Sequence, residues 1–153
     1  MNYLKISSVF LAFLLIAGCN PNAIFSESET IEGSKWDNTK KIVFKPEIED
    51  ISKPYDICVT LSHVYGYAPK TLDIIVKTTS PSGIKKEKEY SLFVKSKDGA
   101  YFSDCAGDYC DLKTQIEKSF KFSEPGTWEF SIEHNMAMNP LPAVMEIGLV
   151  IEK

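Results

Sequence analysis

The sequence contains no arginine, and all 17 of its basic residues are lysines. Arginine is the side chain that clamps phosphates and carboxylates through two parallel hydrogen bonds, which lysine does poorly. The formal net charge of the 153-residue chain is −4, so it has no excess of positive charge with which to neutralise a phosphate backbone. The composition therefore argues against nucleotide binding and predicts no nucleic-acid partner.

Motifs for catalysis are missing too. The chain has no Gly-x-Ser-x-Gly elbow, no Gly-x-x-x-x-Gly-Lys phosphate loop and no His-Glu-x-x-His zinc motif. Its two histidines, His63 and His134, each end a predicted strand in phase with the apolar residues of that strand. We expect both to be partly buried and hydrogen-bonded, because a shared metal or general-base site would require neighbouring strands and a nearby carboxylate. The sequence thus predicts a protein that is not an enzyme and uses no metal or cofactor.

The N-terminal segment holds the most specific motif in the chain. Lys5 precedes an uncharged apolar run over residues 9–16, and Ile16-Ala17-Gly18-Cys19 matches the lipobox of bacterial lipoprotein signal peptides. The run is shorter than the roughly 20 residues that a membrane-spanning helix needs, and it lacks the polar positions of an amphipathic core helix. We therefore expect residues 1–18 to be a signal peptide, Cys19 to be acylated with fatty acids such as palmitate, and the mature protein to be held on a membrane outside the cytoplasm.

The remaining cysteines belong to two different settings. Cys105 and Cys110 lie close together in a stretch rich in Gly and Asp, where an oxidising envelope favours a disulfide over two free thiols. Cys58 stands alone in an apolar run and is expected to be a small buried side chain rather than a nucleophile. Nearby carboxylates leave a calcium-stiffened loop as an alternative to a solvated acidic loop; they are Asp98, Asp104, Asp108 and Asp111.

The segment from Cys19 onward predicts a linker followed by one domain. Residues 19–35 are polar and acidic, contain turn residues and show no sustained periodicity, so we expect the acylated Cys19 to lead into a flexible tether. Trp36 marks the expected start of a folded domain over residues 36–153, a length that can bury a substantial core.

Short apolar runs separated by Gly and Pro turns fill the rest of the chain. β-branched and aromatic residues alternate with polar ones in most of these runs, which is typical of half-buried strands. The strand candidates cover residues 41–44, 55–64, 71–78, 87–94, 119–122, 127–134 and 145–152. About seven or eight such strands predict an all-β fold, an antiparallel β-sandwich of the jelly-roll or immunoglobulin-like kind. Residues 110–118 are the one helix candidate.

The candidate strand over residues 127–134 gives the sharpest prediction of register. Side chains in a strand alternate between its two faces. We expect one buried apolar face and one outward polar face, consisting respectively of Trp128, Phe130 and Ile132, and of Thr127, Glu129, Ser131 and Glu133.

Loops that carry large side chains are the candidates for partner contacts. Aromatic rings in such loops serve as stacking platforms for sugars or as anchors for proteins, and prolines limit the entropy that a loop loses on binding. The candidates are Tyr65, Tyr67 and Tyr101 in two Gly-containing loops, and Met136, Met138 and Leu141 in the connection over residues 135–142. The alternative is that these side chains fold back and cap the edge and the end of the sandwich.

Several short fragments follow one another along residues 36–153, and their order and spacing are distinctive. The fragments are Pro54-Tyr55-Asp56-Ile57, Leu61-Ser62-His63, Tyr67-Ala68-Pro69-Lys70-Thr71-Leu72, Pro81-Ser82-Gly83, Asp98-Gly99, the stretch from Pro125 to Met136, and residues 144–153. Together with the lipobox, this series resembles the gliding-motility lipoprotein family called GldH.

The resemblance implies a non-catalytic accessory component of the gliding machinery and of the associated type IX secretion apparatus. Its implied partners are the membrane, through the N-terminal acyl chains, and other envelope proteins of that apparatus. Its implied location is the cell envelope of a Gram-negative bacterium, with the outer membrane as the expected site. The alternative function is that of a surface lipoprotein that binds a glycan or another ligand through Tyr65, Tyr67 and Tyr101.

Overall fold

The computed structural model describes residues 21–153, so the predicted signal peptide and Cys19 lie outside the described residues. The strands are β1 (Ala23–Thr30), β2 (Lys35–Trp36), β3 (Ile42–Phe44), β4 (Glu47–Ile48), β5 (Tyr55–Val64), β6 (Thr71–Thr79), β7 (Lys85–Phe93), β8 (Asp104–Ala106), β9 (Tyr109–Phe120), β10 (Gly126–Thr127), β11 (Glu129–His134), β12 (Leu141–Pro142) and β13 (Val144–Glu152). A short 3-10 helix over Glu32–Ser34 joins β1 to β2. Within residues 21–153, no helix is long and apolar enough to cross a membrane.

The strands form two main antiparallel sheets. The five-stranded sheet has the order β1-β13-β5-β9-β8 and the four-stranded sheet has the order β3-β11-β6-β7, with two small additional pairs, β10-β4 and β12-β2. Apolar residues from both main sheets form one hydrophobic core. The predicted all-β antiparallel sandwich is therefore confirmed. It has more strands than expected, because several are two-residue pairs in segments rich in turn residues.

Alternation along the strands places the core. In β5, Ile57, Val59 and Leu61 are buried on the face that meets the other sheet, and Leu72 and Ile74 do the same from β6. Burial of each such side chain contributes about 1.5–3 kcal/mol to the free energy of folding. The alternation of apolar and polar residues in the sequence therefore corresponds to the alternation of core-facing and outward-facing side chains in the strands.

The predicted register of the late strand agrees with the structure at its apolar positions. Trp128, Phe130 and Ile132 are all buried. On the opposite face the exception is Ser131, which is buried although it points away from the core. It lies in the middle of the sheet, where it is paired with Val43 of β3 on one side and with Lys77 of β6 on the other.

The helix candidate over residues 110–118 is wrong. These residues belong to β9, which pairs antiparallel with β5 from Tyr109 to Phe120. Cys110 and Leu112 are buried while Tyr109, Asp111 and Lys113 are exposed, so the segment follows a period of two. Pairing with the central strand of the sheet, rather than local sequence preference, decides its conformation.

The tether expected over residues 19–35 and the domain start expected at Trp36 also need correction. Residues 23–30 form β1, the edge strand of the five-stranded sheet, and pair with β13 from Ala23–Glu152 to Thr30–Glu146. The strand is polar and mostly exposed because it lies at the edge and contributes mainly Phe25 to the core. Its order comes from backbone hydrogen bonds, which hydrophobic periodicity does not reveal.

Candidate functional site

The antiparallel register gives the sandwich two distinct ends. The N-proximal end is where β1 begins and β13 ends, at the pair Ala23–Glu152. The opposite end is where β5 ends and β9 begins, at the pair Val64–Tyr109, and where β7 ends at Phe93. We call this second end the aromatic end and define it as residues 64–70, 93–110 and 135–140.

Exposed aromatic side chains are concentrated at the aromatic end. Within the described part of the chain, every aromatic residue among the exposed large apolar side chains lies here, each between 59% and 64% exposed: Tyr65, Phe93, Phe102 and Tyr109. At the N-proximal end, the exposed large side chains are aliphatic, namely Ile24, Ile51 and Ile84. Clustered exposed aromatics cost free energy in water and are typical of surfaces that contact a partner.

The three tyrosines predicted as contacts have three different environments. Tyr65 is exposed. Tyr101 is half-buried, with its ring centroid 5.3 Å from those of both Tyr65 and His63 and with the Lys95 ammonium 4.8 Å from its own. Tyr67 is fully buried, its hydroxyl donates to the Thr71 carbonyl at 3.3 Å, and burial raises its pKa. The expectation that Tyr67 contacts a partner is therefore wrong, and the three rings do not form one shared platform for a sugar.

The three apolar side chains predicted as contacts in the connection over residues 135–142 also differ in their exposure. Met138 is 51% exposed. Leu141 is fully buried, because the short β12 pairs it with Trp36 and turns its side chain into the core. Met136 is partly buried against the core, and its sulfur accepts a hydrogen bond from the Asp73 backbone N–H at 3.2 Å. Leu141 is thus wrong as a contact residue, Met136 packs inward, and Met138 stays a candidate.

A cleft that the sequence did not reveal opens between β7 and β9 at the aromatic end. Its volume is about 780 Å³, and its apolar lining includes Phe93, Phe102 and Leu112. Its charged lining consists entirely of lysines, namely Lys70, Lys95, Lys97 and Lys113, with no Asp or Glu. The available signal was the placement of Phe93, Lys95 and Lys97 at alternate positions, but only the fold brings these residues opposite β9.

Both histidines are buried in neutral, hydrogen-bonded states. The Nδ1–H of His63 donates to the Val64 carbonyl at 3.0 Å, and its Nε2 accepts from the Ser103 hydroxyl at 2.8 Å. The Nε2–H of His134 donates to the Trp36 carbonyl at 3.0 Å, and its Nδ1 accepts from the Met136 backbone N–H at 3.3 Å. Burial lowers the pKa of both histidines. With all ring nitrogens occupied, each histidine holds its strand end in place.

The cysteines within residues 21–153 have structural positions. A disulfide joins Cys105 to Cys110 across the β8–β9 hairpin, and the exposed Tyr109 is the residue before Cys110. Cys58 is a buried free thiol, and burial raises its pKa to about 11. In this part of the chain, no group of three or more His, Cys, Asp or Glu side chains is arranged to hold a metal ion.

Comparison with known proteins relates the whole sandwich to one family. The family model described as GldH lipoprotein matches residues 23–151. That range begins at the first residue of β1 and ends within β13. The family unit therefore includes the segment that the sequence pattern had suggested to be a tether.

Two relatives match over nearly their full length. The chain is 25% identical to the gliding motility lipoprotein GldH homolog of Christiangramia forsetii, covering 95% of each chain. It is 23% identical to the gliding motility lipoprotein GldH of Flavobacterium johnsoniae, covering 95% of this chain and 94% of the relative.

Proposed function

Because the chain belongs to the GldH lipoprotein family, we propose that it is a non-catalytic accessory component of a gliding-motility machinery. In this proposal the signal peptide over residues 1–18 is removed, acyl chains on Cys19 hold the protein on the outer membrane of a Gram-negative envelope, and the aromatic end binds other envelope proteins. The relatives' names connect the family with gliding motility. The position of the exposed aromatic side chains relative to the anchor carries the docking part of the proposal.

The distance between the anchor and the sandwich is short. Only Asn20, Pro21 and Asn22 separate Cys19 from the start of β1, which allows a reach of about 14 Å at roughly 3.5 Å per residue. An acylated Cys19 therefore keeps the N-proximal end beside the membrane. The aromatic end lies about 30 Å from the N-proximal end along the ten residues of β5, at roughly 3.3 Å per residue. In this proposal it points away from the membrane and is accessible to other envelope proteins.

The histidine geometry supports a non-catalytic role. A general base needs a free ring nitrogen within reach of a substrate. In His63 and His134 both ring nitrogens already have hydrogen-bond partners inside the fold, and burial lowers the pKa of both. Their partners are backbone groups and one serine hydroxyl, which position the rings but do not activate them.

The anchor is tested by replacing the predicted acylation site. Cys19→Ala should abolish the incorporation of labelled palmitate and leave an unprocessed precursor, because the thioether forms only on the cysteine sulfur. Cys58→Ala is the matched control, since Cys58 is buried in the sheet and should not affect labelling. Labelled fatty acid in the Cys19→Ala protein would contradict the lipid anchor.

The docking surface is tested by removing exposed rings. The double variant Tyr65→Ser and Tyr109→Ser should lose envelope proteins that co-purify from detergent-solubilised, cross-linked membranes, and cells carrying it should lose gliding. The control is the double variant Ile24→Ser and Ile84→Ser, which changes exposed apolar residues at the N-proximal end. Unchanged co-purification with the tyrosine variant, in a folded and acylated protein, would remove this surface from the proposal.

A further inference from the structure

We propose that the cleft between β7 and β9 binds an extended, acidic segment of a partner protein, which adds to the outer edge of β9 as a continuation of β8. This inference rests on the proposed docking function and names the chemistry of the docked partner. Three independent features of the cleft lead to it: its exposed aromatic walls, its unpaired positive charge and the open strand edge that forms one side.

The aromatic walls provide the apolar part of the interaction. Phe93 is 64% and Phe102 is 59% exposed, and both line the cleft together with Leu112. Aromatic anchors set in a concave surface are the residues that most often dominate the binding energy of a protein interface. A volume of about 780 Å³ is large enough for several side chains of a peptide.

Among the described residues, three of the four lysines that line the cleft have no carboxylate partner. In the described part of the chain, none of the ion pairs involves Lys70, Lys95 or Lys97, whereas Lys113 is paired with Glu152 at 2.7 Å. Backbone carbonyls hold two of the ammonium groups: Lys70 Nζ donates to the Lys97 carbonyl at 3.0 Å, and Lys95 Nζ donates to the Ala68 carbonyl at 3.4 Å. In a chain of net charge −4, this local excess of positive charge attracts carboxylates.

The strand edge explains why the segment should be extended. β8 pairs with β9 only from Asp104–Asp111 to Ala106–Tyr109. From Leu112 onward, the described residues give β9 a single sheet neighbour, β5. The β9 residues that line the cleft, 112–115, are the four that follow directly after the part covered by β8. A peptide strand at this position gains main-chain hydrogen bonds from the sheet and places alternate side chains on the phenylalanines.

β7, the edge strand of the four-stranded sheet, is protected from such pairing along its first half. The first half of β7 has the sequence Lys-Lys-Glu-Lys-Glu over residues 85–89 and is exposed throughout. Charged side chains along an edge strand are a common device against unwanted strand addition. The open side of the sandwich therefore carries charges of both signs near the N-proximal end. At the cleft it is apolar and carries three lysines without carboxylate partners, which localises binding to the cleft.

The test uses the full acylated chain in its own cells, with a benzophenone side chain introduced at residue 102. Irradiation should join residue 102 to a polypeptide segment in which Asp and Glu outnumber Lys and Arg, as read by mass spectrometry of the cross-linked peptide. The matched control places the benzophenone at Ile84, which is also 59% exposed, and should not give this adduct. The double variant Lys70→Glu and Lys97→Glu should reduce the adduct about tenfold or more, while Lys85→Glu with Lys86→Glu should leave it unchanged.

A second measurement addresses the strand edge. A synthetic copy of the cross-linked segment, added to the purified acylated protein in detergent, should slow amide hydrogen exchange in residues 112–116 at least tenfold, and should do so less in the Lys70→Glu and Lys97→Glu protein. An adduct with a segment lacking an acidic excess, an adduct with a glycan or a lipid, or no adduct at residue 102 would overturn the inference. If Tyr65 and Tyr109 still prove necessary for co-purification, docking at the aromatic end stands without this cleft. If they do not, the docking part of the proposed function fails as well.

Discussion

The integration of β1 into the five-stranded sheet can be tested at Gly148, a residue of β13. Gly148 pairs with Ser28 of β1 on one side and with Thr60 of β5 on the other. A Cβ atom at this position would collide with the Thr60 hydroxyl, lie 2.8 Å from the Glu27 carbonyl oxygen and lie 3.2 Å from the Ser28 Cβ. The first contact comes from a side chain of β5, and the other two come from β1.

The informative comparison is Gly148→Ala in a Thr60→Ala background. Removing the hydroxyl eliminates the collision with β5, and the other two of the three nearest atoms both belong to β1. Because one of them is a backbone oxygen, the edge strand has to move as a unit. Overpacking of this kind costs about 1–3 kcal/mol, and an edge strand can yield to some extent, so we expect about 1–2 kcal/mol of destabilisation.

If residues 23–30 are a tether, Gly148→Ala in the Thr60→Ala background is expected to stabilise the protein instead of destabilising it. With no strand beside β13, an alanine meets no obstacle in the Thr60→Ala background. Replacing glycine then stabilises by about 0.4–1 kcal/mol, because the unfolded chain loses conformational freedom. The two descriptions of residues 23–30 therefore predict different directions of change, not merely different sizes.

Urea unfolding of the purified mature protein measures the difference. Trp36 and Trp128 are both buried, so their fluorescence reports the loss of tertiary structure. With a slope of about 1–3 kcal/mol per M urea, the expected destabilisation lowers the midpoint by roughly 0.3–2 M relative to Thr60→Ala alone. An unchanged or higher midpoint, or fast amide exchange throughout residues 25–30, would refute the integration of β1.

Three further outcomes follow from the core, the histidines and the disulfide. Phe130→Ala should cost about 3–5 kcal/mol in urea unfolding, as for other large buried side chains, and a near-neutral effect would contradict the register of β11. Because burial lowers the pKa of His63 and His134 below the ordinary 6.5, their contribution to stability is complete above pH 6.5 and declines as the pH falls below it, since the unfolded chain binds protons more readily. Urea midpoints between pH 7.5 and 5.5 should therefore fall, and a flat profile would exclude this linkage. Reducing Cys105–Cys110 should cost about 2 kcal/mol by the chain-entropy relation; equal midpoints with and without reductant, once thiol titration shows complete reduction, would contradict it.

The alternation of apolar and polar residues was sufficient to predict much of the sandwich. β5, β6, β11 and β13 have one face in the core, so burial imposes a period of two that is visible in the sequence. The resemblance to the GldH family was likewise carried by residues in and beside these strands, and the family match confirms it. The prediction of a signal peptide and a lipobox depends on local sequence alone, which is why it could be made without a fold.

The candidate contacts could be predicted only in part. Tyr65 and Met138 are exposed, whereas Tyr67 and Leu141 lie in the core although they occupy equally turn-rich segments. A loop sequence does not show which of its large side chains turns inward, because that depends on space left by other strands. The lysine-lined cleft was missed for the same reason, since one side is β9 and the other is mainly the end of β7 and the loop that follows it.

The sequence by itself determined the fold class, the inward-facing residues of the strand over residues 127–134 and the predicted anchor, because each is encoded in neighbouring residues. Only the tertiary structure decided that residues 23–30 form a strand, that residues 110–118 are not a helix and that the exposed aromatics gather at one end. A polar edge strand is held by backbone hydrogen bonds to a segment more than 100 residues away, and every residue type offers those same backbone groups. Such pairing leaves little trace in the side chains, and therefore little trace in the sequence.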